Sequence, residues 1–534
     1  MESISQRERI MIMLAIMSAM LFAALNQTIV GTALPRIVSQ LGGMNYFNWV
    51  FTIYMLSTSV TAILVGRLSD MYGRKRFILI GIFIFMIGSL LSGMSTHIIQ
   101  LILFRAIQGT GAGMIMSTAF AAVGDLFSPR ERGRWQGLMS SVFGIASLIG
   151  PTLGGLIVDH AQWRWVFWVF LPFGFIAFYF IWRLFPTPKK KPKAAIDYWG
   201  SLLITFTLVP LLLAFSWAGK QYAWSSWQIL LLFSTSLLAL LFFLLVENKA
   251  INPVLPLSLF RIRIFTISNV IGFIIGAGMF GATIYIPFYI QGVLGKSATT
   301  SGFLMMPMTL SMVLASTLAG NLITRTGKYK MLAFIGLAIM SIGMYSLAQM
   351  GIQTASWVLV MNMLVAGMGL GMAFPIFVLT VQNAVSPQLM GVGTASAQLF
   401  RQLGGTIGVS AFGTILSYRM GTEIASRVST LSIDIHEWSL PNGEQLQLDN
   451  PQVLMNPEQL TLLQQGLPNT EREQLLSWIE MIREAFSVSL SQVFLTGSLL
   501  IAGAFLLTFA LQEIPLRTKR EEHLQVADGE EQRS

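Results

Sequence analysis

Long apolar segments, separated by short polar turns, follow one another along almost the whole chain. A helix needs about 20 apolar residues to cross a bilayer, and it satisfies its own backbone hydrogen bonds in lipid. The pattern therefore predicts an all-α polytopic membrane protein. We place fourteen transmembrane helices at 10–34, 48–66, 77–95, 98–124, 135–158, 163–185, 200–218, 226–246, 266–291, 301–323, 331–350, 356–381, 395–418 and 487–511.

The composition excludes several classes of protein. Hydrophobic residues make up 54% of the 534 residues and charged residues only 11%, whereas soluble domains carry about a quarter charged residues. The chain therefore has too few charges to cover the surface of a soluble enzyme. It has no cysteine, and its four histidines are not paired at metal-ligand spacing, so we expect no thiol chemistry, no metal and no cofactor. The sequence also has no Walker loop, which argues against direct use of ATP.

The positive charges predict the orientation in the membrane. The formal net charge is +10, and most of the 34 Lys and Arg residues fall in alternate loops. If the N-terminus is cytoplasmic, these loops lie on the cytoplasmic side, as the positive-inside rule requires. Both termini are then cytoplasmic, in a plasma (inner) membrane, and the basic charge needs no nucleic-acid partner. The basic segments are Arg67–Arg76, Pro129–Arg134, Lys189–Lys193, Arg261–Arg263, Arg325–Lys330 and Arg517–Arg520.

One connection is long and acidic. Residues 419–486 contain four Arg and ten Asp or Glu, a net charge of −6, and they lie on the outer side in this orientation. Two segments, Ser426–Ser439 and Leu460–Ala485, have the pattern of amphipathic helices on the outer surface. A loosely ordered insert is the alternative, and the pattern does not separate the two.

Two repeats relate the halves of the chain. Gly66–Arg76 is similar to Gly320–Lys330, and the glycines at 109, 111 and 113 return at 367, 369 and 371. Two pseudo-symmetric bundles of six helices are a transporter architecture, with the binding site between them near the bilayer midplane. The predicted division is 1–9 cytoplasmic N-terminus, 10–185 N-terminal bundle, 186–263 linker with two extra transmembrane helices, 264–418 first five helices of the C-terminal bundle, 419–486 extracellular acidic loop, 487–511 last transmembrane helix and 512–534 cytoplasmic tail.

The first repeated loop carries a dense arrangement of charge. Asp70 and Arg74 stand four residues apart, with Gly73, Lys75 and Arg76 beside them. Several cations around one carboxylate can hold helix ends together, so we predict a gate on the inner side. The loop resembles the signature loop of the major facilitator superfamily, with the pattern G-x-L-a-D-r-x-G-r-k-x.

Charged residues further along the chain can join this gate. Asp125 ends the fourth helix on the inner side, where Arg130, Arg132 or Arg134 could pair with it. The predicted gate residues are Asp70, Gly73, Arg74 and Arg134.

A cation lies within the fourth helix. An unpaired Arg inside a membrane helix costs about 2.5–3.5 kcal/mol on insertion scales, so such residues are usually functional. The segment Arg105–Gly113 resembles the second motif of the superfamily, whose Arg is linked to proton coupling.

The fifth helix is rich in glycine. Gly150 and Gly154 form a small-xxx-small face, and Pro151 permits a bend. With Gly144 and Gly155 they resemble the antiporter motif of the superfamily, G-x5-G-P-x-x-G-G. This resemblance implies an exporter with a hinge between its bundles.

Further matches are specific to one group of the superfamily. They resemble motifs of the fourteen-spanner drug:proton antiporters of the EmrB/QacA type, over nearly the whole chain except the tails and the acidic loop. The resemblance implies the major facilitator fold, two six-helix bundles plus two extra helices, and export of drugs driven by the proton gradient. The matching segments are Leu25–Pro35, Trp163–Trp165, Asp197–Gly200, Gln382–Asn383, Arg401–Gly405 and Glu513–Arg517.

Position 26 departs from that pattern. The group has Asp where this chain has Asn26, which cannot titrate but has nearly the shape of a protonated Asp. Either the chain couples to protons elsewhere, or it carries an Asp→Asn substitution that traps the proton-loaded state. On the substitution alone we favour the trapped state.

The sequence offers few other proton carriers. Only six carboxylates occur between Arg9 and Tyr418, and none lies in the middle of a predicted helix, so we expect weak proton coupling. The candidates for proton coupling are Asn26, Arg105, Asp125 and Asp159.

The substrate site is predicted less specifically, from polar and aromatic residues in helices that flank the expected cavity. A lipophilic cation would have no counter-ion there, although aromatic faces attract cations, and Arg105 and Arg401 would suit neutral or anionic cargo. The candidate substrate-binding residues are Gln27, Tyr54, Tyr285, Tyr289, Gln291, Gln382, Asn383, Gln398 and Arg401.

Together these features predict a monomeric, proton-coupled exporter of drugs or other lipophilic small molecules, embedded in the lipid bilayer and working by alternating access. One alternative is a dedicated exporter of a single metabolite, lipid or siderophore. Another is a membrane sensor that transports nothing and docks a second protein on its acidic outer loop.

Overall fold

The computed structural model describes residues 5–41, 47–186, 197–219, 221–296, 298–428 and 469–514. These ranges contain helices and no β-strand. The α-helices are α1 (Gln6–Leu41), α2 (Phe47–Tyr72), α3 (Arg74–Gly93), α4 (Ile98–Leu126), α5 (Pro129–His160), α6 (Trp165–Trp168), α7 (Leu171–Leu184), α8 (Tyr198–Trp217), α9 (Trp227–Glu247), α10 (Arg263–Phe288), α11 (Ala298–Thr326), α12 (Lys330–Ala348), α13 (Ser356–Ala384), α14 (Met390–Val428) and α15 (Asn469–Phe509).

Thirteen helical segments in the described ranges are long and apolar enough to cross a membrane, with α6 and α7 together forming one of them. The remaining predicted span, 395–418, lies inside the 39-residue helix α14. The prediction of an all-α polytopic membrane protein is therefore confirmed. The predicted basic segments at 189–193 and 517–520 lie outside the described residues.

Local chemistry sets where the helices begin. Gly73 separates α2 from α3 with φ = 96°, a conformation that favours glycine because it has no Cβ. Ser128 and Glu131 form a capping box at the start of α5, and the Ser128 hydroxyl donates a hydrogen bond to the Glu131 carboxylate. Asp197 accepts a hydrogen bond of 2.8 Å from the Gly200 amide and so caps α8.

The helices form two bundles, each with its own apolar core. Helices α1–α7 surround a core that includes Phe22, Phe85 and Phe120, whereas α10–α15 surround a second core. The two extra helices, α8 and α9, pack against each other, and α8 also touches α2 and α14. This is the arrangement that the internal repeats predicted.

Two helices extend further than the sequence suggested. α14 continues to Val428, and α15 begins at Asn469, well before the predicted start of the last span at 487. Arg427 forms an ion pair of 3.5 Å with Glu423 and a second with Glu484, which joins the two helices. The residues between these helices, 429–468, lie outside the described residues, as does most of the predicted amphipathic segment 426–439.

The bundles meet mainly through α5 with α11 and α2 with α14. We call the end of the molecule that carries Arg74, Arg130, Lys330 and Glu513 the basic end. Within the described residues, the hydrogen bonds between the bundles all lie in the half of the molecule nearest this end. The structure is thus closed at the basic end.

Glycines allow the two bundles to approach closely here. A Cβ at Gly320 of α11 would come within 2.5 Å of the Gly133 carbonyl oxygen of α5. A Cβ at Gly137 of α5 would likewise come within 2.5 Å of the Ser316 carbonyl oxygen. Contacts this short exclude any side chain, so closure at the basic end depends on glycine at these positions.

We predict that Gly320→Val opens the basic end. Overpacking of this kind costs about 1–3 kcal/mol, which corresponds to a loss of about tenfold in the closed population. The chain has no cysteine, so a Ser141→Cys, Thr317→Cys pair can report closure by disulfide cross-linking. These two side chains are 3.1 Å apart across the interface.

The matched control is Gly302→Val on the same helix, where no atom lies within 4 Å of an added Cβ. With the same cysteine pair, Gly302→Val should cross-link as fast as the chain that carries the pair alone. If Gly320→Val cross-links equally fast, the glycine contact does not limit closure.

Candidate functional site

The N-terminal bundle holds a fully buried cation, Arg105 of α4. Its Nη1 donates hydrogen bonds to Asn26 Oδ1 at 2.8 Å and to Gln108 Oε1 at 2.6 Å. Its guanidinium lies 4.0 Å from the centre of the Tyr54 ring, a favourable cation–π distance. We call Asn26, Tyr54, Arg105 and Gln108 the central cluster. The structure thus brings together Asn26 and Arg105, which the sequence proposed for proton coupling.

The central cluster has more hydrogen-bond donors than acceptors. Arg105 Nη2, Asn26 Nδ2 and Gln108 Nε2 are all buried and have no acceptor in the described structure. None of the described carboxylates contacts Arg105. Buried N–H groups without partners are costly, and a buried charge without a counter-charge is more so. A carboxylate at position 26 would supply the missing acceptors and the missing negative charge.

A second site, at the basic end, joins α2 of one bundle to α14 of the other. Asp70 forms an ion pair with Arg74. Its two carboxylate oxygens also accept hydrogen bonds from the amides of Gly391, at 2.9 Å, and Val392, at 3.0 Å. These amides belong to the first turn of α14, where helices leave N–H groups unpaired and favour negative charge. Arg74 further binds Asp125 at 3.0 Å, so this carboxylate faces the gate.

The equivalent contact on the other side joins α5 to the end of α11. Arg130 donates to the carbonyl oxygens of Thr324, at 2.8 Å, and Arg325, at 2.6 Å. Helix ends leave such carbonyls unpaired, and they attract cations. Arg134 contributes through its backbone amide, which donates to Thr324 Oγ1 at 3.2 Å. The sequence offered Arg130 only as a possible partner of Asp125, but Asp125 binds Arg74 and Arg130 binds backbone carbonyls, which have no sequence pattern.

Two predicted substrate residues, Gln382 and Gln398, lie between the bundles. Gln382 accepts from Gln136 of α5 at 3.1 Å and donates to the Phe120 carbonyl at 3.0 Å. Gln398 donates to the Met116 carbonyl at 3.3 Å. Both side chains are buried, so in this closed form they tie the bundles together. Opening at the basic end would break these bonds and expose both amides.

The other predicted substrate residues are distributed over the molecule. Tyr285 and Tyr289 are buried in the C-terminal bundle, and their hydroxyls donate to the carbonyls of Val409 and Gly351. Asn383 instead donates at 3.3 Å to the Ile514 carbonyl, in the segment that follows α15.

Two glutamines lie at partly buried positions. Gln291 is partly buried in a π-helical turn after α10. Gln27 is partly buried on α1, and its amide nitrogen lies 3.3 Å from Met55 Sδ. The Gln27 contact lies within the N-terminal bundle.

The glycine motif of α5 faces two different partners. Gly144 packs against Val313 of α11, between the bundles, whereas Gly150 packs against Thr28 of α1 in its own bundle. Gly154 is buried as well. The motif residues Pro151 and Gly155 and the coupling candidate Asp159 lie on α5, but their surroundings are outside the described part of the structure.

The C-terminal bundle contains a small cavity of about 20 Å³ between α10, α13 and α14, which has room for about one water molecule in this closed form. Arg401 lies at this cavity, with its guanidinium 4.2 Å from the centre of the Phe374 ring. Among the predicted substrate residues, Arg401 is the one that lines the cavity. The lining residues are Ser268, Gly272, Ile275, Phe374, Phe377, Val378, Ala397 and Arg401.

Comparison with known proteins agrees with this architecture. The Multidrug transporter protein MdtP of Bacillus subtilis is 36% identical over 523 residues, covering 97% of this chain and 96% of that protein. Multidrug resistance protein 3 of the same organism is 36% identical over 404 residues, covering 76% of this chain and 79% of its own length.

A solved structure shares the fold at low identity. The proton:xylose symporter XylE superposes with a TM-score of 0.56 at 15% identity, covering 79% of this chain and 91% of the symporter. The family model of the Major Facilitator Superfamily matches residues 16–409. The chain is therefore a membrane transporter that belongs to the Major Facilitator Superfamily.

Proposed function

We propose that this chain exports lipophilic small molecules across the plasma membrane by alternating access, and that position 26 is the place where a carboxyl would couple this export to protons. The observation that carries the proposal is the central cluster, in which a buried Arg105 has only neutral partners and three N–H groups lack acceptors. A titrating carboxyl at position 26 would pair with Arg105 when ionised and release it when protonated. The multidrug transporters named above support lipophilic drugs as the class of cargo.

In this proposal Asn26 keeps the cluster in the equivalent of its proton-loaded form. An amide can hydrogen-bond to Arg105, but it can neither take up nor release a proton. The closed basic end belongs to the same state of the cycle, in which the cargo site faces away from the cytoplasm. The chain then binds and exchanges cargo but gains little from a proton gradient.

The bundles rock, in this proposal, about the contacts of α5 with α11 and of α2 with α14. Polar contacts close the basic end through Asp70, Arg130 and Gln382. These are hydrogen bonds to backbone and side-chain groups rather than a continuous apolar core. Each can be exchanged for water when the basic end opens, so the two states can be close in free energy.

We predict that Asn26→Asp gives proton-driven efflux several-fold above that of the parent chain. The new carboxyl can bind a proton on one side of the membrane and, on the other side, release it and pair with Arg105. Efflux of a fluorescent lipophilic dye without positive charge should be followed in a pump-deficient bacterium, and a protonophore should abolish the gain.

Asn26→Ser is the matched control, because serine is small and polar but does not titrate near neutral pH. It should stay at the level of the parent chain. Equal efflux by the parent and Asn26→Asp chains, with equal sensitivity to the protonophore, would place coupling elsewhere.

We also predict that Asp70→Asn shifts the chain toward a state open at the basic end. Hydrogen bonds to a charged group contribute about 1.5–3 kcal/mol, so the open population should rise by about tenfold or more. Accessibility can be measured with Ala397→Cys at the cavity wall and a membrane-impermeant maleimide, in inside-out vesicles of the cysteine-free chain.

Glu131→Gln is the control for loss of a carboxylate at the same end, since Glu131 caps its own helix and contacts Ser128. Its labelling rate should match that of the parent chain. A rate for Asp70→Asn no higher than for this control would remove Asp70 from the gate.

A further inference from the structure

Arg401 of α14 is a cation without a counter-ion. In the described structure its guanidinium packs on the face of Phe374. It contacts neither a hydrogen-bond acceptor nor a carboxylate there. An Arg at this depth in a membrane protein is costly unless it is paired or hydrated, and such residues commonly mark a substrate pathway. A cation–π contact alone leaves all five of its N–H donors available.

A second donor lies at the same cavity. The Ser268 hydroxyl of α10 lines it, is 1% exposed, and has no hydrogen-bond partner in the described part of the chain. The remaining wall is apolar and includes two aromatic rings, Phe374 and Phe377. The cavity therefore offers a cation and a hydroxyl beside apolar surface, and its volume of about 20 Å³ must grow before it admits a whole cargo molecule. That combination suits a molecule with an anionic oxygen group and a hydrophobic body.

The helices that form the cavity carry no negative charge to compete for Arg401. The carboxylates of the sequence between Arg9 and Tyr418 fall near helix ends, and none lies on α10, α13 or residues 390–418 of α14. Across the interface, Arg105 has only neutral partners among the described residues. An organic cation in this cavity would face one uncompensated positive charge and would have no counter-ion.

The cavity wall reaches the interface between the bundles. Phe374 lies 6.5 Å, between ring centres, from Phe143 of α5, which in turn lies 6.4 Å from Phe120 of α4. Movement of one bundle against the other would shift Phe143 away from Phe374. The cavity would then widen at the interface, and a cargo molecule could reach Arg401 when the bundles separate.

We propose that Arg401 and Ser268 bind the anionic group of the cargo, so that this transporter prefers amphiphilic organic carboxylates or sulfonates over lipophilic cations. The proposal rests on the export function proposed above and names the class of its cargo. Phe374 and Phe377 hold the hydrophobic body of the cargo. Arg401 pairs with the negative charge of this group, and Ser268 donates one hydrogen bond to it.

The test uses three probes that share one aromatic body: naphthoate, naphthylmethanol and naphthylmethylammonium. Binding to the purified full chain in lipid nanodiscs is measured by equilibrium dialysis, with empty nanodiscs subtracted. We expect naphthoate to bind more tightly than the alcohol, and the ammonium to bind most weakly. Arg401→Gln should weaken naphthoate binding by about 10- to 100-fold, the range for loss of a charged hydrogen bond, and leave the alcohol nearly unchanged.

Two further variants separate charge from folding. Arg401→Lys keeps the charge and should retain part of the naphthoate affinity. Arg419→Gln makes the same substitution at an exposed position of the same helix and should change nothing. The proposal is overturned if the ammonium binds the parent chain as tightly as naphthoate does, a comparison that needs no variant. It is also overturned if Arg401→Gln binds naphthoate normally.

Transport in proteoliposomes separates this inference from the export function. If naphthylmethylammonium is transported and naphthoate is not, export stands and the preference for anions falls. If naphthoate binds through Arg401 but none of the three probes is transported, the site stands and the export function falls.

Discussion

The cost of placing charge in a membrane governs this molecule. A helix in lipid satisfies its own backbone, so the bundles form wherever apolar segments are long enough. A charged side chain in lipid cannot be satisfied by its own helix, so it needs an oppositely charged partner, water or a cavity. Among the described residues, Asp70, Arg74 and Asp125 at the basic end are paired across helices, whereas Arg105 and Arg401 inside the bundles have no counter-ion.

This division is what an alternating-access machine requires. At the basic end, Asp70 satisfies the first turn of α14 and Arg130 satisfies the last turn of α11, so the N-terminal bundle completes two helix ends of the C-terminal bundle. Such contacts are directional, and water can replace them when the bundles part. Glycines at 133, 137 and 320 bring the backbones close enough for these contacts to form. In the proposed transport cycle, these contacts would hold the basic end closed and could be exchanged for water when it opens.

Much of this architecture could be predicted from the sequence, and the failures have physical causes. Hydropathy alone identified the helices, because a run of about 20 apolar residues is typical of a membrane-spanning helix. Arg105 stood out since it interrupts such a run. Gln382 and Gln398 could not be assigned, because an amide inside a helix has the same pattern whether it faces a cavity or a neighbouring helix. The first turns of α15 were predicted as a separate amphipathic helix, because they are too polar for a span. In the structure they continue into the last span, and Leu475 and Trp478 are buried there.

The two unpaired cations differ in a way that separates their roles. Arg105 is fully buried, and its hydrogen-bond partners all lie in its own bundle: the side chains of Asn26 and Gln108 and the Val50 carbonyl. Whatever balances its charge must therefore come from within that bundle. Arg401 borders a cavity, so its balancing charge can arrive from outside. A proton is small enough to reach a cluster buried inside a bundle, whereas a cargo molecule needs a cavity that it can enter. We therefore infer that the N-terminal bundle handles coupling at Arg105 and the C-terminal bundle handles cargo at Arg401. The contacts between the bundles are then the route by which one event acts on the other.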